Sequence, residues 1–221
     1  MPDASLSLAA RLALLAWDTE GMKLTGVSQL AHLVRAGALT ELAQRGMLAD
    51  DDGIARPVSD DRTGDPALDD LLELIEESRP RTWKSWVTSH SKYTLDAVQA
   101  QLAGTGHLRK EHRRGLFSRT QYRLERPDVV KALRADARDV LTGPVPVDRV
   151  SDRDAALVAL AAAAELRTLA TGRERRQHKE RIEALTVRSG TAAPALKKVI
   201  DEVRTAVVVV AATTAATAGS G

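Results

Sequence analysis

The five histidines, His32, His90, His107, His112 and His178, are scattered, and none forms an H-E-x-x-H pair or a cluster at metal-ligand spacing. The chain holds no G-x-S-x-G elbow, no Walker A loop and no G-x-G-x-x-G turn. Cysteine is absent, which excludes disulfides, thiol catalysis and Cys-ligated zinc, and fits a reducing compartment. Asp50-Asp51-Asp52-Gly53 offers carboxylates for calcium but lacks the other spaced ligands and the closing Glu of an EF-hand loop. Asp52-Gly53 reads better as a two-residue hairpin turn, because both residues tolerate positive φ. These residues name no catalytic centre, metal or cofactor, so the expected chemistry is noncovalent and the chain is read as a non-enzyme.

Charge is the remaining signal. The net charge is only +2, but it is unevenly spread: Asp50 to Asp70 is acidic, whereas Arg109, Lys110, Arg113, Arg114, Arg119 and Arg123 crowd one short stretch. Leu116 and Phe117 sit in the middle of that stretch. Apolar tip residues flanked by arginines suit shallow insertion at a membrane surface while the arginines meet phosphates. The same stretch also fits a solvated hairpin rim, a contact with a protein or a second copy of the chain, or a nucleic-acid surface. One Phe with Tyr122 nearby is a poor platform for base stacking, which argues against nucleic acid. A second basic run, Arg167 to Arg181, is interrupted by Glu174 and Glu180 and reads as a solvated helical face with local ion pairs.

The elements that must position these charges are mainly helical. Of 221 residues 43% are apolar but only 3% aromatic, so Leu, Val and Ala must fill the core, a composition suited to closely packed helices. The abundance of Ala and Arg also suggests a GC-rich bacterial gene. Helices are expected over Ser5–Trp17, with Ser5 as cap, over Ser28–Arg45, and from Pro66 behind an Asp65 cap. Shorter ones are expected around Trp83–Val87 and over Leu95–Leu102, and longer ones over Pro127–Leu141, Asp152–Thr171, Arg173–Leu185 and Pro194–Ala212. Two β-hairpins are expected, at Met47–Val58 and at His107–Leu124, and Gly143-Pro144-Val145-Pro146 reads as a linker. Ala206–Ala218 is too short and too interrupted by Thr for a membrane span of roughly 18 or more apolar residues. Asp3 precedes the first apolar run where a signal peptide would carry basic residues, which gives the expectation of a cytoplasmic protein.

The order of segments resembles the Golgi phosphoprotein 3 family. The resemblance is carried by Leu6-Ser7-Leu8, Asp18-Thr19-Glu20-Gly21, the run from Leu33 to Gly46, Thr63-Gly64-Asp65, the run from Leu102 to Leu108, and the run from Arg153 to Leu160. It implies a mainly α domain over residues 5–212, with a central helix bundle, surrounding amphipathic helices and hairpins, followed by a low-complexity tail at 213–221. It also implies a peripheral membrane adaptor that binds anionic phospholipid or phosphoinositide, phosphatidylinositol 4-phosphate in the family, with protein tails and a homo-oligomer as further partners. The family's headgroup pocket uses a tryptophan, an arginine on the second helix and two arginines on a later helix. Arg35 matches the first arginine, the tryptophan position falls near Gly26, and the later arginines fall near Lys92 and Leu95. Lys92 keeps the charge without the planar fork of arginine, and Leu95 loses the contact. Arg35 and Lys92 are therefore the expected headgroup contacts, and Arg113, Arg114, Leu116, Phe117 and Arg119 the expected membrane-facing hairpin. A protein-interaction module without lipid specificity and a basic-hairpin nucleic-acid binder are the alternatives.

Overall fold

The computed structural model describes residues 6–112, 120–190 and 198–205. The chain is mainly α. Helix α1 (Leu8–Leu15) is buried on every side, even at Arg11, whose guanidinium pairs with Asp154 at 2.8 Å. Its cap is Ser7 and not Ser5: the Ser7 hydroxyl accepts from the Ala10 N–H, so the helix begins later than its leucines suggest. Helix α2 (Val27–Gln44) packs on α1, and the two backbones come close at Gly37. A β-carbon there would stand 2.6 Å from Leu12 Cδ1 and 3.2 Å from Ala9 Cα.

Between these helices the chain forms a small ladder, β1 (Trp17–Asp18) with β2 (Lys23–Leu24), which the expected helix over Ser5–Trp17 does not foresee. Strands β3 (Leu48–Asp51) and β4 (Ile54–Pro57) form the expected hairpin, with Asp52 at φ 49° and Gly53 at φ 86°. A short strand, β5 (Arg81–Thr82), adds to β4, so the sheet has three strands instead of two. Helix α3 (Pro66–Glu77) starts behind Asp65, whose carboxylate accepts from the Ala67 and Leu68 N–H groups.

Helices α4 (Trp83–Thr88) and α5 (Ser91–Gly104) follow, and α5 begins a full turn before the apolar residue Leu95 that marks it in the sequence. The second hairpin is β6 (Leu108–His112) with β7 (Thr120–Leu124), its base held by buried Leu108 opposite buried Leu124. Helix α6 (Pro127–Thr142) leads to the Gly-Pro segment. That segment is pinned in place of a free linker: Arg181 donates to the Val140 and Val145 carbonyls at 2.8 and 2.7 Å.

Helix α7 (Asp152–Ala163) is alanine-rich and buried from Ala155 onward, so neighbours can approach closely. It ends well before Thr171, where Glu165 adopts φ 52° and breaks the run. A capping box of Thr171 and Glu174 opens α8 (Gly172–Gln177), and α9 (Lys179–Gly190) lies along α7. Residues 198–205, here α10, bury Val199, Ile200 and Val203 completely.

One carboxylate ties distant parts together. Glu41, buried on α2, accepts from the Leu8 N–H at the start of α1, from Arg45 at 2.6 Å, and from Arg153 of α7 at 3.4 Å. Arg153 also donates to the Leu6 carbonyl.

Candidate functional site

Arg35 lies in the middle of α2 among residues that face inward, next to Val34 and Ala36, and is 0% exposed. An arginine in such a place normally meets a carboxylate, because an unpaired buried charge is expensive. Among the described residues none pairs with it. Its one bond runs from Nη2 to the His90 carbonyl at 2.7 Å, while Nε and Nη1 have no hydrogen-bond partner there. Burial alone pulls its pKa down to about 10.

The acceptor is unusual in its own right. His90 has φ 55°, in the left-handed region, and is the residue that turns the chain from α4 into α5. Helix α5 therefore opens without a side-chain cap. Among the described residues the Ser91 and Lys92 N–H groups bond no protein acceptor. Lys92, the second residue of α5, is exposed and reaches Asp96 at 2.5 Å. Tyr93 is 68% exposed and stacks on the His90 ring, centroids 5.7 Å apart.

Three more groups belong to this neighbourhood of α2, α4 and α5. Trp86 on α4 is buried with its Nε1 unpartnered among the described residues, and the Arg81 guanidinium lies 5.3 Å above its ring. His32, one turn before Arg35 on α2, has a buried Nδ1 without a partner there, and burial lowers its pKa.

Arg35 and Lys92 are thus brought to the two sides of one turn, Arg35 beneath it and Lys92 outside it. Leu95 packs against the core. Gly26 is the N-cap of α2 at φ 63°, so its position demands a left-handed conformation that Trp would strain. Arg113, Arg114, Leu116, Phe117 and Arg119 lie outside the described residues. At the base of their hairpin, Arg109 pairs with Glu125 at 3.1 Å and with Glu111 at 3.5 Å, which offsets part of the basic run. In the second basic run Arg175 reaches Glu165 at 3.4 Å, Glu174 accepts from Arg138 of α6 at 2.6 Å, and Lys179 pairs with Glu183 at helical spacing.

The histidine at the turn and the open end of α5 escape a reading by apolar period. The one local signal was the polar stretch Thr88-Ser89-His90-Ser91 between two apolar segments, which marks a break without telling its conformation.

A search of curated proteins finds no match. The family model for Golgi phosphoprotein 3 (GPP34) matches residues 8–203, from the first residue of α1 into α10. That span includes Arg35, the turn at His90 and both sides of the Glu41 junction, so the chain belongs to the Golgi phosphoprotein 3 family.

Proposed function

We propose that this protein is a peripheral membrane adaptor, not an enzyme, that binds anionic lipid headgroups at the turn between α4 and α5. The observation that carries the reading is Arg35: a fully buried guanidinium with no carboxylate beside it among the described residues, bonded to the turn that Lys92 flanks. Its charge is not cancelled locally, so it adds positive potential at the turn, where a phosphate would benefit. Membership in the family supports the same direction, because the family resemblance implies phosphatidylinositol 4-phosphate as the headgroup. No helix among the described residues is long and apolar enough to cross a membrane, so the association proposed is with the surface. The sequence between β6 and β7 adds Arg113, Arg114 and Arg119 for diffuse attraction, at about 1 kcal/mol per basic residue near an anionic surface, and Leu116 and Phe117 for shallow insertion.

The test is co-sedimentation with vesicles carrying phosphatidylinositol 4-phosphate, against vesicles of equal charge made with a simple anionic lipid. Arg35→Met, Lys92→Ala and the pair Leu116→Ser/Phe117→Ser are run beside wild type, each checked for an intact helical spectrum. Preferential binding to the phosphoinositide, reduced about tenfold by Arg35→Met, is the expected result. Equal, salt-sensitive binding to both vesicles would reduce the reading to a generic charged contact. No sedimentation with either would remove the membrane reading in favour of a protein partner.

A further inference from the structure

We infer that the cavity between α7, α9 and α10 binds a free aliphatic amino acid, taken as its zwitterion. The site shares no residue with the turn at His90 and goes beyond the headgroup reading.

The cavity measures about 240 Å³. An apolar cavity of about 150 Å³ is enough to take up benzene, so leucine has room here. The floor is apolar. Ala162 and Ala163, the last two residues of α7, form part of it, and Ile182 of α9 the rest. The space exists because α7 ends on methyl groups where longer side chains would fill it. Around the floor stand three cations from three elements: Arg175 of α8, Lys179 of α9 and Arg204 of α10. Glu183, one turn after Lys179, stands among them.

These cations are loosely held. Arg175 meets Glu165 at 3.4 Å, Lys179 meets Glu183 at 3.7 Å and Arg204 meets Asp201 at 3.6 Å. All three separations exceed the length of an ordinary N–H···O hydrogen bond, about 2.7–3.2 Å. Nearby Arg138, by contrast, is hydrogen-bonded to Glu174 at 2.6 Å. Among the described residues Lys179 Nζ and the Arg204 guanidinium make no hydrogen bond. Arg175 makes one, from Nη1 to the Ala170 carbonyl at 2.9 Å, which fixes its guanidinium and leaves Nη2 with only the long ionic contact. Donors from three elements are thus available to one carboxylate, and one of the three is held in place beforehand.

The charge balance selects the ligand. The three cations face three carboxylates, Glu165, Glu183 and Asp201, so the site has no net charge with which to hold a polyanion. It has two poles instead. The cations suit a carboxylate, while Glu183 and the carboxyl-terminal end of α7 suit an ammonium group. The floor of alanines and isoleucine suits an aliphatic side chain. A zwitterion bearing such a side chain meets all three requirements. Because Arg204 belongs to α10, whose Glu202 also holds Lys84 of α4, a bound ligand would press α10 onto α7 and α9.

The experiment follows the amide resonances of the 15N-labelled full chain while leucine is added, against glycine, 4-methylpentanoate and leucinamide at matched ionic strength. Saturable shifts at Ala162, Ala163, Ile182 and Glu183 with leucine are expected. Glycine lacks the side chain, 4-methylpentanoate the ammonium and leucinamide the carboxylate, so each should bind at least about tenfold more weakly. Arg204→Gln, at a half-exposed position, should keep the fold and weaken leucine at least about tenfold. Ala162→Leu fills the cavity from its floor and should abolish binding with the helical spectrum intact. Saturating leucine should slow hydrogen exchange at Val199, Ile200 and Val203 of α10.

Resonances around the cavity that stay still with leucine overturn the inference. So does 4-methylpentanoate or leucinamide binding as tightly as leucine, because the site would then not read both poles. Leucine affinity unchanged in both Arg204→Gln and Ala162→Leu also overturns it, since the ligand would then sit elsewhere.

Discussion

Replacing Arg35 with methionine is expected to raise the unfolding free energy by about 1–3 kcal/mol, since it removes an unpaired buried charge and keeps most of the volume. Arg35→Ala is expected to lower it, because the lost packing leaves a cavity. Urea titration measures both. The effect should depend on pH in a defined direction. Burial holds the folded-state pKa near 10, below that of an exposed arginine. From about pH 10 up to the higher pKa of the unfolded chain, the unfolded chain therefore binds more protons, and the penalty carried by wild type fades as pH rises. Wild type and Arg35→Met should converge in stability across that range. A residue that weakens the fold and is nevertheless present is what a binding role would leave behind. From the sequence Arg35 could be matched to a family position, but its complete burial could not be read, because it depends on α4 and α5 closing over α2.

At the scale of elements, the contact between α1 and α2 depends on a missing side chain. In an exposed helix, Gly→Ala is stabilising by up to about 1 kcal/mol. At Gly37 the sign should reverse: the new methyl would meet Leu12 Cδ1 at 2.6 Å and the Ala9 backbone at 3.2 Å. Gly37→Ala is expected to cost about 1–3 kcal/mol by overpacking, read as a lower urea midpoint with an unchanged slope. Most of the elements themselves were legible in the sequence. Asp65-Pro66 gave the start of α3, Asp52-Gly53 the hairpin turn, and the leucine spacing α2. What escaped were boundaries decided by single left-handed residues. His90 starts α5 four residues after Trp86, and Glu165 follows the end of α7, yet neither is a glycine that would announce the turn. The hydrogen bonds that pin Val145 to Arg181 also lay beyond reach, because they join residues 36 positions apart.

Over the whole molecule, α10 acts as a clasp. Lys198 reaches Asp50 of the β3–β4 hairpin at 2.6 Å, and Lys84 of α4 reaches Glu202 at 3.5 Å. Asp50 also accepts from the Trp83 indole at 2.7 Å, so the hairpin, α4 and α10 meet at one carboxylate. Beneath these polar links, Ile200 is fully buried. Ile200→Ala is expected to cost about 2–5 kcal/mol, the usual range for a buried aliphatic truncation. Probes on α4 and on α1 should report the same urea midpoint if the clasp belongs to one cooperative unit; separate midpoints would show that α10 closes on an already folded remainder. The acidic tract enters this assembly through Asp50, which the sequence marks only as part of a hairpin turn. Two of the ties that join distant segments are single carboxylates, Glu41 and Asp50, each taking several donors, a pattern invisible until the fold brings the donors together.

The Glu41 junction has a consequence for the order in which the chain can become a protein. Synthesis delivers α1 first, yet the acceptor for its Leu8 N–H is 33 residues downstream, and the arginine that holds the Leu6 carbonyl is 147 residues downstream. A helix of eight residues is too short to persist alone in water. Helix α1 therefore waits, apolar on its faces apart from Arg11, until α2 arrives to receive it, and its outer end is fastened only once α7 has emerged. Helix α1 is among the last elements to be secured.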